Sequence, residues 1–188
     1  MKGNIITQIN ELSRLLWNPY VDEDSIAVDA TCGNGYDTLY LAEKCRFVHG
    51  FDIQPAAIEA TEDLLRRNGR ENYALYCTSH ELMEEYVREK VSLIVFNLGY
   101  LPKGDKDITT TAASTIKALE ESLELLKTNG LISVTMYWGH QQGREERQAV
   151  LDFCRQLDSG RYHCVYLNML NQPHNPPEIV LITKKNEE

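Results

Sequence analysis

One stretch constrains the fold of this chain more than any other: an apolar run that ends in a glycine turn and continues into a helix. The run from Ser25 leads into Asp-Ala-Thr-Cys-Gly-Asn-Gly at residues 29–35, and Thr38-Leu39-Tyr40-Leu41-Ala42 follows with helical character. A strand, a tight glycine turn and a helix in this order form the opening unit of a nucleotide-binding α/β fold. The turn is therefore the predicted cofactor site.

The composition of this turn indicates what it can bind. Gly33 and Gly35 allow backbone torsions that a Cβ would penalise and let the main chain approach a ligand closely. The third glycine of a dinucleotide fingerprint and the lysine of a phosphate loop are both missing, so binding of a pyrophosphate is disfavoured. Asp29 and Asp37 flank the turn instead, which favours a cationic ligand group.

A third acidic residue follows the next apolar run. Phe47-Val48-His49-Gly50-Phe51 ends at Asp52, at about the spacing where an acidic side chain binds the hydroxyls of a ribose. S-adenosylmethionine fits both features, since it carries an amino acid head, a sulfonium and a ribose. The segments Asp29-Ala30-Thr31-Cys32-Gly33-Asn34-Gly35 and Phe51-Asp52-Ile53-Gln54 resemble the first two motifs of class I methyltransferases.

The resemblance implies a donor site built from the ends of several strands. The expected S-adenosylmethionine-binding residues are Asp29, Thr31, Cys32, Gly33, Asn34, Gly35, Asp37, Thr38, Asp52, Ile53, Gln54, Ser79, His80, Asn97 and Gly99. His80 has two interpretations at this point: an exposed residue or cap neighbour, or a contact with the donor.

Strand and helix patterns alternate along the chain, which predicts a Rossmann-like α/β fold with seven strands and helices on both faces of the sheet. The strand order 3-2-1-4-5-7-6 and an antiparallel last strand are implied by the class I resemblance. The length of 188 residues suits one domain, residues 1–188, in which residues 1–20 form a leading helix. That helix either packs on the fold or caps the ligand cleft.

The net charge and the cysteine content restrict the kinds of ligand and site that this protein is expected to have. The net charge of −9 and a pI near 5.1 argue against a broad electrostatic grip on nucleic acid, so any RNA contact must be local. The five cysteines include no C-x-x-C pair, and neither a disulfide framework nor a metal site is expected. No apolar run approaches a membrane span and the first residues lack a signal-peptide core, so we expect a cytoplasmic protein without membrane contact.

The most apolar run, Val91–Phe96, ends at Asn97-Leu98-Gly99-Tyr100-Leu101-Pro102. The carboxyl ends of neighbouring strands form the ligand crevice of such sheets, so this segment should face the methyl donor. It resembles the Asn-Pro-Pro-Tyr motif of enzymes that methylate amino nitrogens, with Leu98-Gly99 in place of the two prolines.

Three blocks in order resemble one small bacterial family, labelled "putative rRNA methylase" and also called YtqB or MnmM. The blocks are residues 29–38, residues 96–105 and Asn171-Gln172-Pro173-His174-Asn175-Pro176-Pro177. The resemblance implies methylation of the aminomethyl nitrogen of 5-aminomethyl(-2-thio)uridine at the wobble position, which gives 5-methylaminomethyl(-2-thio)uridine. It further implies the tRNA anticodon stem-loop as partner, and a homodimer.

The residue chemistry favours nitrogen over carbon as the methyl acceptor. Methylation at pyrimidine C5 usually needs a cysteine nucleophile, and the loop from Asn97 to Asp107 contains none. An amine needs only positioning and an acceptor for its proton, and no metal. The candidate catalytic residues are Asn97, Tyr100 and His174, and His140 and Asp105 are further candidate orienting groups.

Recognition of a flipped-out base would use aromatic side chains for stacking and a few basic side chains for phosphates. The predicted substrate-binding residues are Tyr100, Lys103, Asp105, Lys106, Tyr137, Trp138, His140 and Arg144. Arg144 and Arg147 could instead belong to a solvated helix face. A small amine metabolite or rRNA remain alternative substrates, and the acidic net charge would suit the former.

Overall fold

The computed structural model describes residues 8–99 and 110–186. The strands are β1 (Ile26–Asp29), β2 (Phe47–Asp52), β3 (Tyr73–Cys77), β4 (Val91–Leu98), β5 (Leu126–Met136), β6 (Tyr162–Leu167) and β7 (Glu178–Lys184). The helices are α1 (Ile9–Trp17), α2 (Tyr36–Ala42), α3 (Pro55–Arg67), α4 (Met83–Tyr86), α5 (Ala112–Leu125) and α6 (Gln141–Gln156). Short 3-10 turns at Asn18–Tyr20 and His80–Leu82 precede β1 and α4.

The seven strands form one sheet in the order β3-β2-β1-β4-β5-β7-β6. The first five strands in this order pair in parallel with one another, and β7 runs antiparallel to both β5 and β6. This order and the antiparallel last strand confirm the predicted fold class. The carboxyl ends of β1, β2 and β4 consequently meet at one edge of the sheet, where the predicted donor residues lie.

The central strands are apolar because both of their faces are covered. Every residue of β1 and the first six residues of β4 are buried. A parallel strand buried on both faces has a nearly continuous apolar sequence, which explains why these runs lack alternation. The edge strand β6 is exposed along most of its length, and its sequence is correspondingly mixed.

Alternate residues of β1 enter two separate cores. Val28 belongs to the core that contains Leu119 of α5 and Val150 of α6. Ala27 belongs to the core that contains Trp17 of α1 and Leu41 of α2. Helices α1 to α3 therefore cover one face of the sheet, and α4 to α6 cover the other.

Helix α5 passes directly into β5. The helix ends at Leu125, before Asn129-Gly130, and β5 begins at Leu126, which pairs with Val91 of β4. Asn129 has a φ of 60° and lies inside the strand, where the pairing between β4 and β5 is irregular. An asparagine tolerates this left-handed backbone, so the same residue suits a kinked strand as well as a helix end.

Candidate active site

The loop after β1 is held by Asp29, which is completely buried. Its Oδ2 accepts a hydrogen bond from the Thr38 hydroxyl at 2.6 Å, and its Oδ1 accepts one from the Thr31 backbone N–H at 3.2 Å. Burial, together with the negative charges of Asp37 and Asp52, raises the pKa of Asp29 to about 7. Asp29 thus stabilises the conformation of the loop through buried hydrogen bonds, and no part of its side chain reaches solvent.

Asp52, at the end of β2, joins two loops. One carboxylate oxygen accepts from the Gly33 backbone N–H at 2.9 Å and the other from the Gln54 N–H at 2.9 Å. Burial raises the pKa of this carboxyl group, although the side chain remains half-buried. Each oxygen keeps a second lone pair, and Ile53 beside it is 48% exposed. A hydrogen-bond acceptor, the Asp52 carboxylate, and an exposed apolar side chain, Ile53, are therefore adjacent at the end of β2.

Backbone torsion favours glycine at both positions 33 and 35 of the loop, and close packing also requires it at position 35. Gly33 and Gly35 have φ values of 55° and 79°, in the region that favours glycine. A Cβ on Gly35 would lie 2.8 Å from the Cα of Thr61 in α3. Gly35 was expected to allow a ligand to approach the main chain, but the close neighbour in the structure is α3.

Cys32 and Asn34 differ in their exposure to solvent. The Cys32 side chain is buried, and its Sγ would be 2.7 Å from a Cβ on Gly50 of β2. Burial raises the pKa of this thiol. Asn34 is exposed. Of these two predicted donor residues, only Asn34 presents its side chain to solvent.

Ser79 and His80 follow β3. The Ser79 hydroxyl caps the 3-10 turn by accepting from the Glu81 backbone N–H. His80 is 6% exposed, its Nδ1 lies 3.2 Å from the Ala30 carbonyl oxygen, and its ring packs edge-on against Phe96. Burial lowers the pKa of His80. The exposed interpretation of His80 is therefore wrong, because the ring fills space between the ends of β1 and β4.

Asn97, near the carboxyl end of β4, is tied to the loop after β1 at two points. Its backbone N–H donates to the Thr31 hydroxyl at 2.7 Å, and its Nδ2 donates to Asp37 Oδ2 at 3.0 Å. The other oxygen of Asp37 is paired with Arg14 of α1, whose Nε and Nη2 both lie 2.8 Å away. Asp37 was predicted to suit a cationic ligand group, and here that cation is a side chain of the same protein.

These contacts define a connected set of side chains and backbone groups at the carboxyl ends of β1, β2 and β4. We refer to it as the donor cradle: Asp29, Thr31, Gly33, Asp37, Thr38, Asp52 and Asn97. Gly99 follows β4 with a φ of 157°, and a Cβ there would lie 3.3 Å from the Cβ of Tyr137. The end of β4 therefore packs closely against the end of β5.

Of the predicted substrate residues after β5, Tyr137 lies close to this cradle. Tyr137 donates its hydroxyl to Asn10 Oδ1 of α1 at 3.0 Å, and burial together with the charge of Asp37 raises its pKa to about 12. His140 precedes α6 as a half-buried residue, and Arg144 is exposed on the first turns of that helix.

Trp138 belongs to a second cluster, the β5–β7 corner, whose members are Trp138, Arg147, Tyr166, Pro176 and Glu178. The indole N–H donates to the Pro176 carbonyl at 3.0 Å, and the Arg147 guanidinium lies 4.8 Å from the ring centre. Arg147 Nη2 also bonds the Tyr166 hydroxyl at 2.9 Å, and its Nε pairs with Glu178. Arg147 thus lies against the ring of Trp138, and the indole is fixed by its hydrogen bond to Pro176.

Arg147 corrects the solvated-face interpretation of α6. Its partner Glu178 is 5% exposed, so the pair is largely removed from water. A basic helix residue alone does not identify its partner, and the sequence offered no signal that Arg147 differs from Arg144. Arg14 was missed for the same reason, since nothing near it in the sequence points to Asp37.

His174 lies in the loop between β6 and β7. It is exposed, and its φ of 67° and the φ of 53° at Asn175 are both left-handed. Among residues 8–99 and 110–186, no hydrogen bond joins His174 to Asn97. The predicted residues Tyr100, Lys103, Asp105 and Lys106 lie outside the described residues.

Two negative findings apply to residues 8–99 and 110–186. None of their helices is both long and apolar enough to cross a bilayer. They also bring together no group of three or more His, Cys, Asp or Glu side chains able to hold a metal ion.

The sheet order, the glycine loop after β1 and the acidic residue ending β2 together define a class I methyltransferase, the class that uses S-adenosylmethionine. Residues 48–183 match the family described as "Putative rRNA methylase", and the chain belongs to this family.

Relatives cover nearly the whole chain. The tRNA (mnm(5)s(2)U34)-methyltransferase of Arabidopsis thaliana, a chloroplastic protein, is 35% identical over 190 residues, which cover 94% of this chain and 69% of the relative. The crystal structure of a putative rRNA methylase from Clostridium thermocellum is 37% identical with a TM-score of 0.91, covering 98% of this chain and 99% of that one. A putative methyltransferase of Streptococcus mutans, crystallised with SAH, is 35% identical with a TM-score of 0.88 over 98% and 99%.

Proposed function

We propose that this methyltransferase transfers a methyl group from S-adenosylmethionine to the aminomethyl nitrogen of 5-aminomethyl(-2-thio)uridine at the tRNA wobble position. The product is the 5-methylaminomethyl base. The observation that carries the proposal is the placement of Asn97 at the edge of the donor cradle, with its amide held by Asp37. The name of the Arabidopsis relative supports wobble uridine as the substrate.

The donor cradle fits S-adenosylmethionine. Asp52 offers the remaining lone pairs of two fixed oxygens to the ribose hydroxyls, and Ile53 offers an exposed apolar surface to the adenine. The loop from Thr31 to Gly35 and the start of α2 would hold the amino acid portion, with Ser79, His80 and Gly99 bordering the site. Bound S-adenosylmethionine supplies an electrophilic methyl carbon on a sulfonium.

Asn97 is the proposed orienting group for the acceptor. A carbonyl oxygen of its amide can accept a hydrogen bond from the amine and so direct the nitrogen lone pair toward the methyl group. The reactive amine is uncharged, and the proton released on methylation passes to water or to a nearby acceptor, for which Tyr100 and His174 are our candidates. This chemistry needs positioning of an existing nucleophile and no covalent intermediate with the protein.

The acceptor surface would lie at the carboxyl ends of β4 and β5. The side chains that we propose to border it are Tyr137, Trp138, His140 and the exposed Arg144, together with Tyr100, Lys103, Asp105 and Lys106. Aromatic stacking with a few basic side chains allows a local grip on an anticodon stem-loop despite a net charge of −9.

The test offers purified protein and labelled S-adenosylmethionine to tRNA that carries either unmodified uridine or the aminomethyl base at the wobble position. Label should appear only in the aminomethyl tRNA, and the rate should climb as pH rises toward the pKa of the amine, because the protonated amine is unreactive. Label in unmodified tRNA or in rRNA, or transfer only to small free amines, would contradict the assignment.

Four further expectations remain predictions: that residues 1–188 form one domain, that two copies form a homodimer, that the protein is cytoplasmic, and that catalysis requires no metal. Sedimentation of the purified protein at several concentrations tests the dimer directly. A monomer at the concentrations used for activity would contradict it.

A further inference from the structure

Helix α1 reaches the donor cradle through one charged side chain, Arg14. Its Nε and Nη2 both contact Asp37 Oδ1 at 2.8 Å, and Nη2 also donates to the Tyr36 carbonyl at 3.1 Å. The guanidinium lies 5.1 Å from the ring centre of Tyr40, which restricts its position. The side chains of Arg14 and Asp37 are only 21% and 12% exposed, so water screens this pair less than a surface pair.

Asp37 is thereby a bridge between α1 and β4. One of its oxygens is held by Arg14, and the other accepts from the Asn97 amide at 3.0 Å. A carboxylate that is already fixed on one side offers its second oxygen in one place. The position of the Asn97 amide therefore depends on a residue of the leading helix.

The same contact decides which way the amide faces. A carboxylate accepts hydrogen bonds and donates none, so the amide atom facing Asp37 must be the nitrogen. The carbonyl oxygen Oδ1 then points away from Asp37. Because the Asn97 backbone N–H is held by Thr31, neither the main chain nor the side chain of this residue is free to turn.

We propose that Arg14 is a positioning residue for methyl transfer: it fixes Asp37, and Asp37 orients the Asn97 amide so that Oδ1 accepts a hydrogen bond from the methyl-accepting amine. This inference rests on the proposed function. The simpler alternative is that Arg14 only attaches α1 to the rest of the fold, and the experiments below separate the two.

The first measurement compares kcat and KM in Arg14→Gln. Groups that orient a reacting side chain typically contribute tenfold or more, so kcat should fall by roughly tenfold while the KM for S-adenosylmethionine stays within about twofold. Arg14→Lys should retain an intermediate kcat, because an ammonium group can reach Asp37 but lacks the planar fork that also bonds the Tyr36 carbonyl. An unchanged kcat in Arg14→Gln overturns the proposal.

The second measurement asks whether Arg14 acts through Asn97. In an Asn97→Ala background the amide is gone, so adding Arg14→Gln should change kcat by less than about twofold. A full additional tenfold loss in that background would show that Arg14 acts by another route, which overturns the proposal.

Ser13→Ala is the matched control on the same helix. The Ser13 hydroxyl is buried and lies 3.3 Å from the Thr135 hydroxyl of β5, so it attaches α1 to the sheet without touching Asp37 or Asn97. This variant should lower thermal stability and leave kcat unchanged. If Ser13→Ala lowers kcat as much as Arg14→Gln does, attachment of the helix explains the effect and the positioning role is wrong.

NMR spectroscopy tests the orientation of the Asn97 amide without relying on catalytic turnover. The side-chain amide signals of Asn97 in a ¹⁵N–¹H spectrum, identified by their loss in Asn97→Ala, should shift in Arg14→Gln and remain in place in Ser13→Ala. Signals that do not move in Arg14→Gln overturn the proposal even if the protein methylates tRNA. A wild-type protein inactive on aminomethyl tRNA would instead contradict the proposed function, with the amide signals still reporting on the Arg14 contact.

Discussion

The donor cradle and the β5–β7 corner are both polar clusters at the same edge of one sheet, yet they are held together differently. In the cradle, Asp29 and Asp52 accept mainly from backbone N–H groups and one neighbouring hydroxyl, within two short segments of sequence. In the corner, one guanidinium contacts two aromatic rings and a carboxylate from three separate segments. The cradle depends on backbone shape, whereas the corner depends on a single cation.

The difference has a functional counterpart. Changes to the cradle should alter loop conformation and donor affinity together, because Asp52 holds the loop and is also the proposed ribose acceptor. Changes to the corner should affect stability and the loop that carries His174, through Pro176, and leave donor affinity intact. The predictions below test this separation, beginning with the largest expected effect.

The largest effect is expected for Gly35→Ala in the cradle. The new Cβ would lie 2.8 Å from the Cα of Thr61, and the φ of 79° would be strained as well. Overpacking against backbone and a left-handed alanine together should lower the free energy of unfolding by on the order of 3 kcal/mol or more. Urea denaturation measures the loss.

Substitutions at two other glycines separate the cost of backbone strain from the cost of the steric contact. Gly69 has a φ of 65° with no atom within 4 Å of its Cβ position, so Gly69→Ala should cost about 1 kcal/mol from backbone strain alone. Gly139→Ala meets nothing within 4 Å and should be nearly neutral. If Gly35→Ala costs no more than Gly69→Ala, the close contact between the loop and α3 is not rigid.

The next effect concerns donor affinity. Asp52→Ala removes the proposed ribose acceptor and leaves the Gly33 and Gln54 N–H groups without their partner. Loss of paired hydrogen bonds to a charged group should weaken S-adenosylmethionine binding by about a hundredfold, or about 3 kcal/mol. Calorimetry measures it, with Asp63→Ala on the exposed face of α3 as control. Unchanged affinity in a folded Asp52→Ala protein would exclude Asp52 from the donor site.

Arg147→Met tests the corner. Glu178 would keep a buried charge without its partner, so the free energy of unfolding should fall by about 2 kcal/mol, while donor affinity stays unchanged. Adding Glu178→Gln should recover part of the loss. Arg155→Met on the same helix removes an exposed pair with Asp152 and should cost less than about 1 kcal/mol. A drop in donor affinity would show that the two clusters are not independent.

The last prediction concerns a slope with pH, not a loss at one pH, and it originates in the cradle. The pKa of Asp29 is about 7 in the folded protein, raised by burial from 3.8, so the folded state binds a proton that the unfolded state has lost. Stability from this group is present below pH 4 and falls as pH rises toward 7, by at most about 1.4 kcal/mol per pH unit.

Asp29→Asn should remove that slope, so its stability relative to wild type should improve as the pH is raised from 4 to 7. Asp24→Asn, at an exposed position, serves as the control. A difference between wild type and Asp29→Asn that stays constant across this range would contradict the raised pKa of Asp29.

The sequence by itself determined the fold class and the location of the donor cradle. Continuous apolar runs with glycine turns specify parallel strands and their ends, and a motif of adjacent residues brings Asp29, Thr31 and Thr38 together through local geometry. Asp52 could be placed because equivalent ends of neighbouring parallel strands lie side by side. The strand order followed from resemblance to a known class, since periodicity alone does not specify it.

Only the tertiary structure decided the ion pairs and the burial of single side chains. Arg14 and Asp37 are 23 positions apart, and Arg147 and Glu178 are 31 apart. Whether such side chains meet depends on how each helix is rotated against the sheet, and a helical pattern fixes that rotation only approximately. The burial of His80 was missed for the same reason: its neighbours Ala30, which follows β1, and Phe96 of β4 are distant in sequence, and no local feature of its own sequence indicates them.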